Sequence, residues 1–275
     1  MQVNSMLITY LERKAKSLRK NIIKMLASGQ AGHPGGSLSV VEIITVLYYY
    51  ILKIDPQNPN WEERDRVVLS KGHASPALYA ALGDLGFFDI NAFGTFDHIN
   101  SILQAHPDMS KTPGVDMSTG SLGQGLSAAV GMALGGKLDR RDFNVYVILG
   151  DGELQSGQIW EAAMFAAHRR LNNLIAILDY NKLQLYGEVS KMVSIEPIKD
   201  KWQAFGWHVV EGNGHDFKSL IDLLTSLKDK ARDCPSILIA HTIKGKGISF
   251  MENRVEWHAR AMNLEEIDQA LSELG

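Results

Sequence analysis

The sequence predicts an α/β protein with a doubly wound, mostly parallel sheet and helices on both faces. Short runs of apolar and β-branched residues recur along the chain, and stretches with apolar residues at helical spacing separate most of them. That alternation is typical of parallel sheets. The length of 275 residues and the hydrophobic content of 45% suit one large domain over 1–275. The predicted strands are 66–70, 144–149, 174–178, 207–211 and 236–242.

The clearest unit of this fold lies in the middle of the chain. The apolar runs at 144–149 and 174–178 flank a segment, 158–171, whose apolar residues recur at helical spacing. Strand, helix and strand in that order form a parallel crossover, which is right-handed by default. Both strands end at the same edge of the sheet, so Asp151 and Asn181 are expected to lie close together.

Asp151 and Asn181 predict a metal site that binds a diphosphate. Carboxylate and amide oxygens suit Mg²⁺ or Ca²⁺, and Mg²⁺ usually completes its coordination with phosphate oxygens and water. Gly150 and Gly152 on either side of Asp151 let the backbone approach a ligand, and amides at the start of the next helix favour an anion. An ordinary strand-to-loop turn would explain Gly-Asp-Gly alone, but not Asn181 after the next strand.

Several motifs resemble those of known enzymes. Gly150-Asp151-Gly152 followed by Asn181-Lys182 resembles the signature of thiamine diphosphate-binding proteins. Further motifs narrow the resemblance to the transketolase family, over nearly the whole chain, and imply the diphosphate-binding domain of that fold. They are GHPGGSLS at 32–39, SKGHASPALYA at 70–80, AHPD at 105–108 and STGSLGQGLSAAVGMA at 118–133.

The resemblance implies thiamine diphosphate as the cofactor, bound through Mg²⁺ (or Ca²⁺). In the family pattern the Asp, the Asn and a carbonyl two residues beyond the Asn hold the metal. Those ligands correspond here to Asp151, Asn181 and the backbone carbonyl of Leu183.

Three histidines in loops marked by glycine or proline are candidate catalytic residues: His33, His73 and His106. A single histidine beside glycine is commonly a turn residue, but three of them favour a site, because imidazole both donates hydrogen bonds and carries protons near neutral pH. The resemblance assigns all three to the donor ketose.

Other residues are expected to contact the cofactor. Lys244 follows the last predicted strand in a glycine-rich basic segment, which could approach a diphosphate or form a solvated loop. The small residues of the helix after the 120–122 turn could serve close packing alone. The resemblance places the turn and Leu185 on the cofactor rings and His258 on the diphosphate. The full set is Gly120, Ser121, Leu122, Gly150, Gly152, Glu153, Leu185, Lys244 and His258.

The chain departs from the family at Ser156, where transketolases usually carry a Glu in a carboxylate network near the dimer interface. Glu153 and Glu161 are retained. The departure puts communication between paired sites in doubt, while the metal site is unaffected.

A complete transketolase is longer than this chain and adds a pyrimidine-binding domain with a catalytic Glu, followed by a third domain. We therefore hypothesise the N-terminal subunit of a split transketolase, in an α₂β₂ heterotetramer with a separate C-terminal subunit that carries that Glu. It would transfer a two-carbon ketol unit from a ketose (phosphate) to an aldose (phosphate), and the sequence leaves the sugars open.

Two other functions stay open. The α subunit of a 2-oxo acid dehydrogenase or decarboxylase shares the diphosphate motif, but the three histidine motifs argue against it. A catalytically degenerate cofactor-binding module is favoured only by Ser156.

Composition excludes other classes of protein. A net charge of −3 gives no nucleic-acid footprint. The single cysteine, Cys234, suits a reducing compartment. The most apolar stretch, 40–52, is interrupted by Glu42 and is too short for a membrane helix. An amphipathic helix at 8–25 is expected to pack its apolar stripe on the sheet, and a membrane-surface helix is the minor alternative. We expect a soluble, cytoplasmic protein.

Overall fold

The computed structural model describes residues 5–29, 32–229 and 231–275. Five strands form a parallel sheet, and two further strands form a short antiparallel hairpin. The sheet confirms the predicted fold class and all five predicted strands. The strands are β1 (Arg66–Leu69), β2 (Val145–Gly150), β3 (Leu174–Tyr180), β4 (Leu183–Gln184), β5 (Gly187–Glu188), β6 (His208–Asn213) and β7 (Ser236–His241). The parallel sheet has the order β1-β2-β3-β7-β6, and β4 and β5 form the hairpin.

Helices fill most connections between the strands. The helix predicted at 158–171 ends earlier, at His168, because the chain reverses through Arg170 in a left-handed conformation with φ of 52°. The helices are α1 (Ser5–Ser28), α2 (Pro34–Leu38), α3 (Val41–Val46, continued by a π turn at Leu47–Ile51), α4 (Ser75–Leu85), α5 (Gln124–Leu138), α6 (Gly157–His168), α7 (Val189–Met192), α8 (Ile198–Ala204), α9 (Phe217–Leu227) and α10 (Leu264–Glu273).

Both faces of the sheet are covered, as a doubly wound fold requires. Alternate residues of each strand enter different cores, because successive side chains point to opposite faces. Ile148 and Ile177 lie in a core with α1, α3, α4 and α9. Val147 and Leu178 lie in a second core with α5, α6 and α8. The predicted N-terminal helix is therefore present, with its apolar stripe buried in the first core.

The winding of the sheet places a crevice at its centre. The chain runs from β1 to β2 to β3 in neighbouring positions, then crosses to the edge strand β6 and returns to β7 beside β3. The return passes through α9 on the opposite face from α6. Ligands of open α/β sheets bind at such a reversal, outside the carboxyl ends of the strands. The reversal here lies between the ends of β3 and β7.

The apolar stretch at 40–52 belongs to the first core. Glu42, which interrupts it, is buried and paired with Arg19. Within the part of the chain that the structure describes, no helix is both long and apolar enough to cross a membrane.

Candidate active site

A cavity of about 320 Å³ opens at the carboxyl ends of β2, β3 and β7. A wider and more open groove of about 690 Å³ runs along the ends of β6 and β7, and only the first cavity contains residues predicted from the motifs. Those residues are His73, Leu122, Gly150, Asp151, Gly152, Glu153, Asn181, Leu183, Leu185, Lys244 and His258.

The predicted metal ligands lie together, because β2 and β3 pair with Gly150 opposite Asp179. Asp151 Oδ1 accepts a hydrogen bond from the Gly152 amide at 2.7 Å, and its second oxygen accepts one from the Lys182 amide. Asn181 Oδ1 accepts one from the Leu183 amide at 3.1 Å. Lys182 has φ of 68°, so the chain turns sharply between Asn181 and Leu183.

The chemistry of these groups suits a hard cation. The set is one carboxylate, one side-chain amide and one backbone carbonyl, as Mg²⁺ and Ca²⁺ prefer. Burial and the nearby Asp179 raise the pKa of Asp151 to about 7, which a bound cation would reverse. Among the described residues no group of three His, Cys, Asp or Glu side chains could hold a metal. That finding is compatible with the predicted set, which contains one such side chain.

A buried ion pair beneath the metal ligands was not predicted. Asp179 at the end of β3 is fully buried and pairs with Lys71. It also accepts hydrogen bonds from Ser39 Oγ at 2.7 Å and Asn181 Nδ2 at 3.0 Å. Burial raises the pKa of Asp179, but Lys71 outweighs burial and holds it below its usual value. The carboxylate therefore stays charged and orients the Asn181 amide. Both members of the pair lie in or beside quoted motifs, but only the folded sheet shows that they meet.

Lys244 is buried in the cavity wall, so its alternative as a solvated loop residue is wrong. Its Nζ donates to the Leu183 carbonyl at 3.1 Å and lies 2.8 Å from His258 Nδ1. Burial and the neighbouring Lys71 lower the pKa of Lys244 to about 8. A carbonyl oxygen has two lone pairs, so Leu183 can accept from Lys244 and still face a cation.

The predicted catalytic histidines form one cluster with His258. The ring of His33 lies 5.2 Å from His73, 6.1 Å from His106 and 5.6 Å from His258, centroid to centroid. Burial and nearby cationic groups lower the pKa of His33 to about 4, of His258 to about 3, and of His73 well below its usual value. These three rings are therefore neutral at physiological pH, and each can donate one hydrogen bond and accept another without carrying a charge.

The Gly120 turn supports the histidine cluster. Gly120 has φ of 143°, and a Cβ there would lie 2.9 Å from the ring of His106. Only glycine fits this position without displacing the ring. Ser121 is exposed, and Leu122 is 44% exposed at the mouth of the cavity, as is Leu185. His33, His106, Gly120 and Ser121 are not themselves in the cavity lining and adjoin it through His73 and Leu122.

Glu153 braces the wall of the cavity. Its buried carboxylate accepts hydrogen bonds from Ser70 Oγ at 2.5 Å, the Gly123 amide at 2.8 Å and the Gly150 amide at 3.1 Å. These bonds tie the turn before α5 to the end of β2. Ser156 packs against the same turn, since a Cβ at Gly123 would lie 2.9 Å from the Ser156 side chain.

The fold and the cavity together define an enzyme domain that binds a diphosphate at the reversal point of an α/β sheet. Residues 11–275 match the family model of the transketolase thiamine diphosphate-binding domain. The chain belongs to the transketolase family.

Relatives of known function include both short and long chains. A 6-deoxy-6-sulfo-D-fructose transketolase subunit of Clostridium sp. (strain MSTE9) is 47% identical over 264 residues, which cover 96% of each chain. An apulose-4-phosphate transketolase subunit of Actinobacillus succinogenes is 43% identical, over 96% of this chain and 95% of that one. Human transketolase is 37% identical over 96% of this chain, which spans only 42% of the human protein.

Solved structures agree with these relatives. Transketolase from Campylobacter jejuni superposes with a TM-score of 0.90 at 34% identity, over 96% of this chain and 42% of that chain. These findings confirm the predicted family, the fold, the thiamine diphosphate-binding domain and the role as one subunit of a transketolase. The metal and the role of each site residue stay predictions.

Proposed function

We propose that this chain supplies the diphosphate- and metal-binding half of a two-chain transketolase, which moves a two-carbon ketol unit from a ketose to an aldose. One observation carries the proposal. Asp151, Asn181 and Leu183, the proposed metal ligands, line the same cavity as His73 and His258, which belong to the histidine cluster. The proposed phosphate-binding end and the proposed sugar-binding end would therefore adjoin.

Each end of the cavity has its own task. Asp151, Asn181 and the Leu183 carbonyl would hold Mg²⁺ or Ca²⁺, and Lys244 would add a positive charge beside the diphosphate. Thiamine diphosphate, when bound, supplies the carbanion-stabilising chemistry at the donor carbonyl. The neutral rings of His33 and His73 would orient sugar hydroxyls and carry protons, together with His106.

A partner chain is expected to close the mouth of the cavity. The proposed partner is a C-terminal subunit with the pyrimidine-binding domain and the catalytic Glu, in an α₂β₂ assembly. Leu122, Leu185 and Tyr186 support such a partner, because they expose apolar surface beside the cavity, Tyr186 being 80% exposed. The relatives of similar length are likewise described as subunits. The cytoplasmic location expected from the sequence remains a prediction.

The substrates of the relatives suggest the class of ketose that serves as the donor. One relative acts on 6-deoxy-6-sulfo-D-fructose and another on apulose 4-phosphate. Both substrates are ketoses with an anionic end, so we propose an anionic ketose as the donor. The histidine cluster argues against a 2-oxo acid, which has no hydroxyls at the corresponding positions for those rings to orient.

The test begins with native mass spectrometry of the tagged chain recovered from its own host. A single co-purifying partner of comparable size is expected, and the isolated complex should consume a sulfo-ketose or ketose phosphate in the presence of an aldose. A complex that carries Asp151→Asn is the matched inactive control. Ketol transfer by this chain without a partner would show that the two-chain proposal is wrong.

The alternatives give different results in the same assay. Consumption of pyruvate or a branched 2-oxo acid in place of a ketose would identify a dehydrogenase or decarboxylase subunit. Failure of the assembled complex to turn over any ketose would favour a degenerate cofactor-binding module.

A further inference from the structure

A buried chain of polar side chains lies beside the active site and has no part in the function proposed above. Arg19 of α1 donates from Nη2 to Glu42 Oε1 at 2.6 Å, and Glu42 Oε2 lies 2.9 Å from His215 Nδ1. The three side chains are at most 11% exposed. They come from α1, α3 and the loop after β6, so they join elements that are far apart in the sequence.

The hydrogen bonds of His215 determine which of its nitrogens carries the hydrogen. The backbone amide of Ile243 donates to His215 Nε2 at 2.8 Å, and an amide can only donate. Nε2 is therefore unprotonated, and Nδ1 carries the hydrogen and donates to Glu42. Both ring nitrogens are occupied by hydrogen bonds, so the geometry gives His215 a holding role.

The same chain of side chains holds the loop after β7 at two points. His215 accepts from Ile243, and Arg19 Nε donates to the Lys246 carbonyl at 2.9 Å. Gly247 closes tightly on Arg19, since a Cβ there would lie 2.6 Å from Arg19 Nε. Lys244 lies between the two points of attachment.

We propose that His215, backed by Glu42 and Arg19, positions Lys244 for the cofactor diphosphate. The Lys244 ammonium lies 3.1 Å from the Leu183 carbonyl and 2.8 Å from His258 Nδ1, and hydrogen bonds tolerate little displacement from such distances. The backbone here is also held by the Asn253 amide, which donates to the Lys244 carbonyl at 2.9 Å, and by the Gly245 amide, which donates to the Gly35 carbonyl at 3.0 Å. Losing the Ile243 contact removes the hydrogen bond that fixes the residue just before Lys244. The inference rests on the proposed function only in placing a diphosphate beside Lys244.

Hydrogen exchange tests the holding contact without any cofactor. In the full chain carrying His215→Ala, the peptide that contains Ile243 should exchange faster, while peptides of β1 and β2 should keep the wild-type rate. His168→Ala removes an exposed histidine from the end of α6 and is the matched control. Unchanged exchange at Ile243 in His215→Ala would overturn the inference.

Calorimetry with thiamine diphosphate and Mg²⁺ tests the consequence for Lys244. His215→Ala should raise the dissociation constant about tenfold, the usual scale for losing one positioning hydrogen bond. In the Lys244→Ala background the same substitution should add almost nothing, because the two residues act through one contact. Additive effects would show that His215 does not work through Lys244.

A conservative variant separates positioning from folding. His215→Gln keeps one acceptor and one donor, and should restore part of the affinity and the slow exchange at Ile243. A His215→Gln chain that is as stable as wild type but exchanges and binds like His215→Ala would contradict the proposal. If the wild-type chain bound no thiamine diphosphate, the proposed function would fail, and the exchange experiment would still decide whether the loop is held.

Discussion

Four imidazole rings, those of His33, His73, His106 and His258, lie near one another and close to two lysines. Like charges at these distances would repel strongly in a buried site. The lowered pKa values of His33, His73 and His258 remove that conflict, because the rings stay neutral beside Lys71 and Lys244. A cluster that would be unstable if charged is therefore a set of neutral hydrogen-bond donors and acceptors.

The lowered pKa of His33 predicts a pH-dependent stability. The unfolded residue takes up a proton below about pH 6.5, while the folded residue does so only near its pKa of about 4. The free energy of unfolding of the cofactor-free chain should therefore fall as the pH drops from 7 to 5, and His33→Asn should lack this contribution. Urea denaturation at several pH values should show His33→Asn gaining about 1 kcal/mol on wild type at pH 5, after allowance for solvent screening. If the free energies of unfolding of wild type and His33→Asn changed in parallel with pH, His33 would take up its proton as readily in the folded chain as in the unfolded one.

Asp151 is the residue on which metal-dependent binding should depend most. Its carboxylate is the only charged group of the predicted ligand set, so Asp151→Asn should weaken Mg²⁺-dependent binding of thiamine diphosphate at least a hundredfold, about the upper end of what outer-shell changes cost. Calorimetry measures the loss. Asp139→Asn, at the exposed end of α5, should bind like wild type. If Asp151→Asn bound thiamine diphosphate as tightly as wild type, Asp151 would not be a metal ligand.

At the scale of elements, the glycines of α5 differ in whether packing requires them. A Cβ at buried Gly125 would lie 2.7 Å from the Ser70 Cα, so this glycine lets the helix meet the end of β1. Gly131, on the exposed side, has no atom within 4 Å of its Cβ position. The packing alternative considered for this helix therefore holds for Gly125 and not for Gly131.

The two glycines predict opposite effects of the same substitution. Gly125→Ala must push Ser70 aside and should cost about 1–3 kcal/mol of folding free energy. Gly131→Ala should stabilise the isolated chain by about 0.5–1 kcal/mol, because alanine loses less backbone entropy in a helix. Urea denaturation of both variants checks the signs. If both variants lost folding free energy, the face of α5 that carries Gly131 would be covered in solution.

The elements also show how far sequence patterns reach. Short continuous apolar runs predicted every strand of the five-stranded sheet, because strands buried on both faces are continuous apolar segments. Helix ends were less certain, since α6 ends where Arg170 adopts a left-handed conformation that no periodicity indicates. The Lys71–Asp179 pair and the His215–Glu42 contact escaped prediction, because each joins residues that only the sheet order brings together.

At the scale of the whole molecule, the cavity is proposed to bind the cofactor diphosphate inside and to leave the cofactor rings at its mouth, where the partner would enclose them. The motif resemblance places Leu185 on the cofactor rings, and the structure leaves it 44% exposed beside the cavity. Leu185→Ser should weaken thiamine diphosphate about three- to tenfold through lost apolar contact and leave inorganic diphosphate binding unchanged. Calorimetry with both ligands and Mg²⁺ distinguishes them.

Leu138→Ser provides the control, since Leu138 is 74% exposed at the end of α5 and lies outside the cavity lining. It should bind both ligands like wild type. Equal weakening of both ligands by Leu185→Ser would show that Leu185 shapes the diphosphate end instead of contacting the rings.

The sheet reversal that forms the crevice has a consequence for the order of assembly. The proposed metal ligands and Lys244 follow β2, β3 and β7 of a single sheet, so no other chain is needed to bring them together. In the two-chain enzyme proposed here, the cofactor would bind first, with its rings facing solvent, and the second chain would enclose it afterwards. By mass action, a higher concentration of thiamine diphosphate would then raise the share of this chain that is ready to take up its partner.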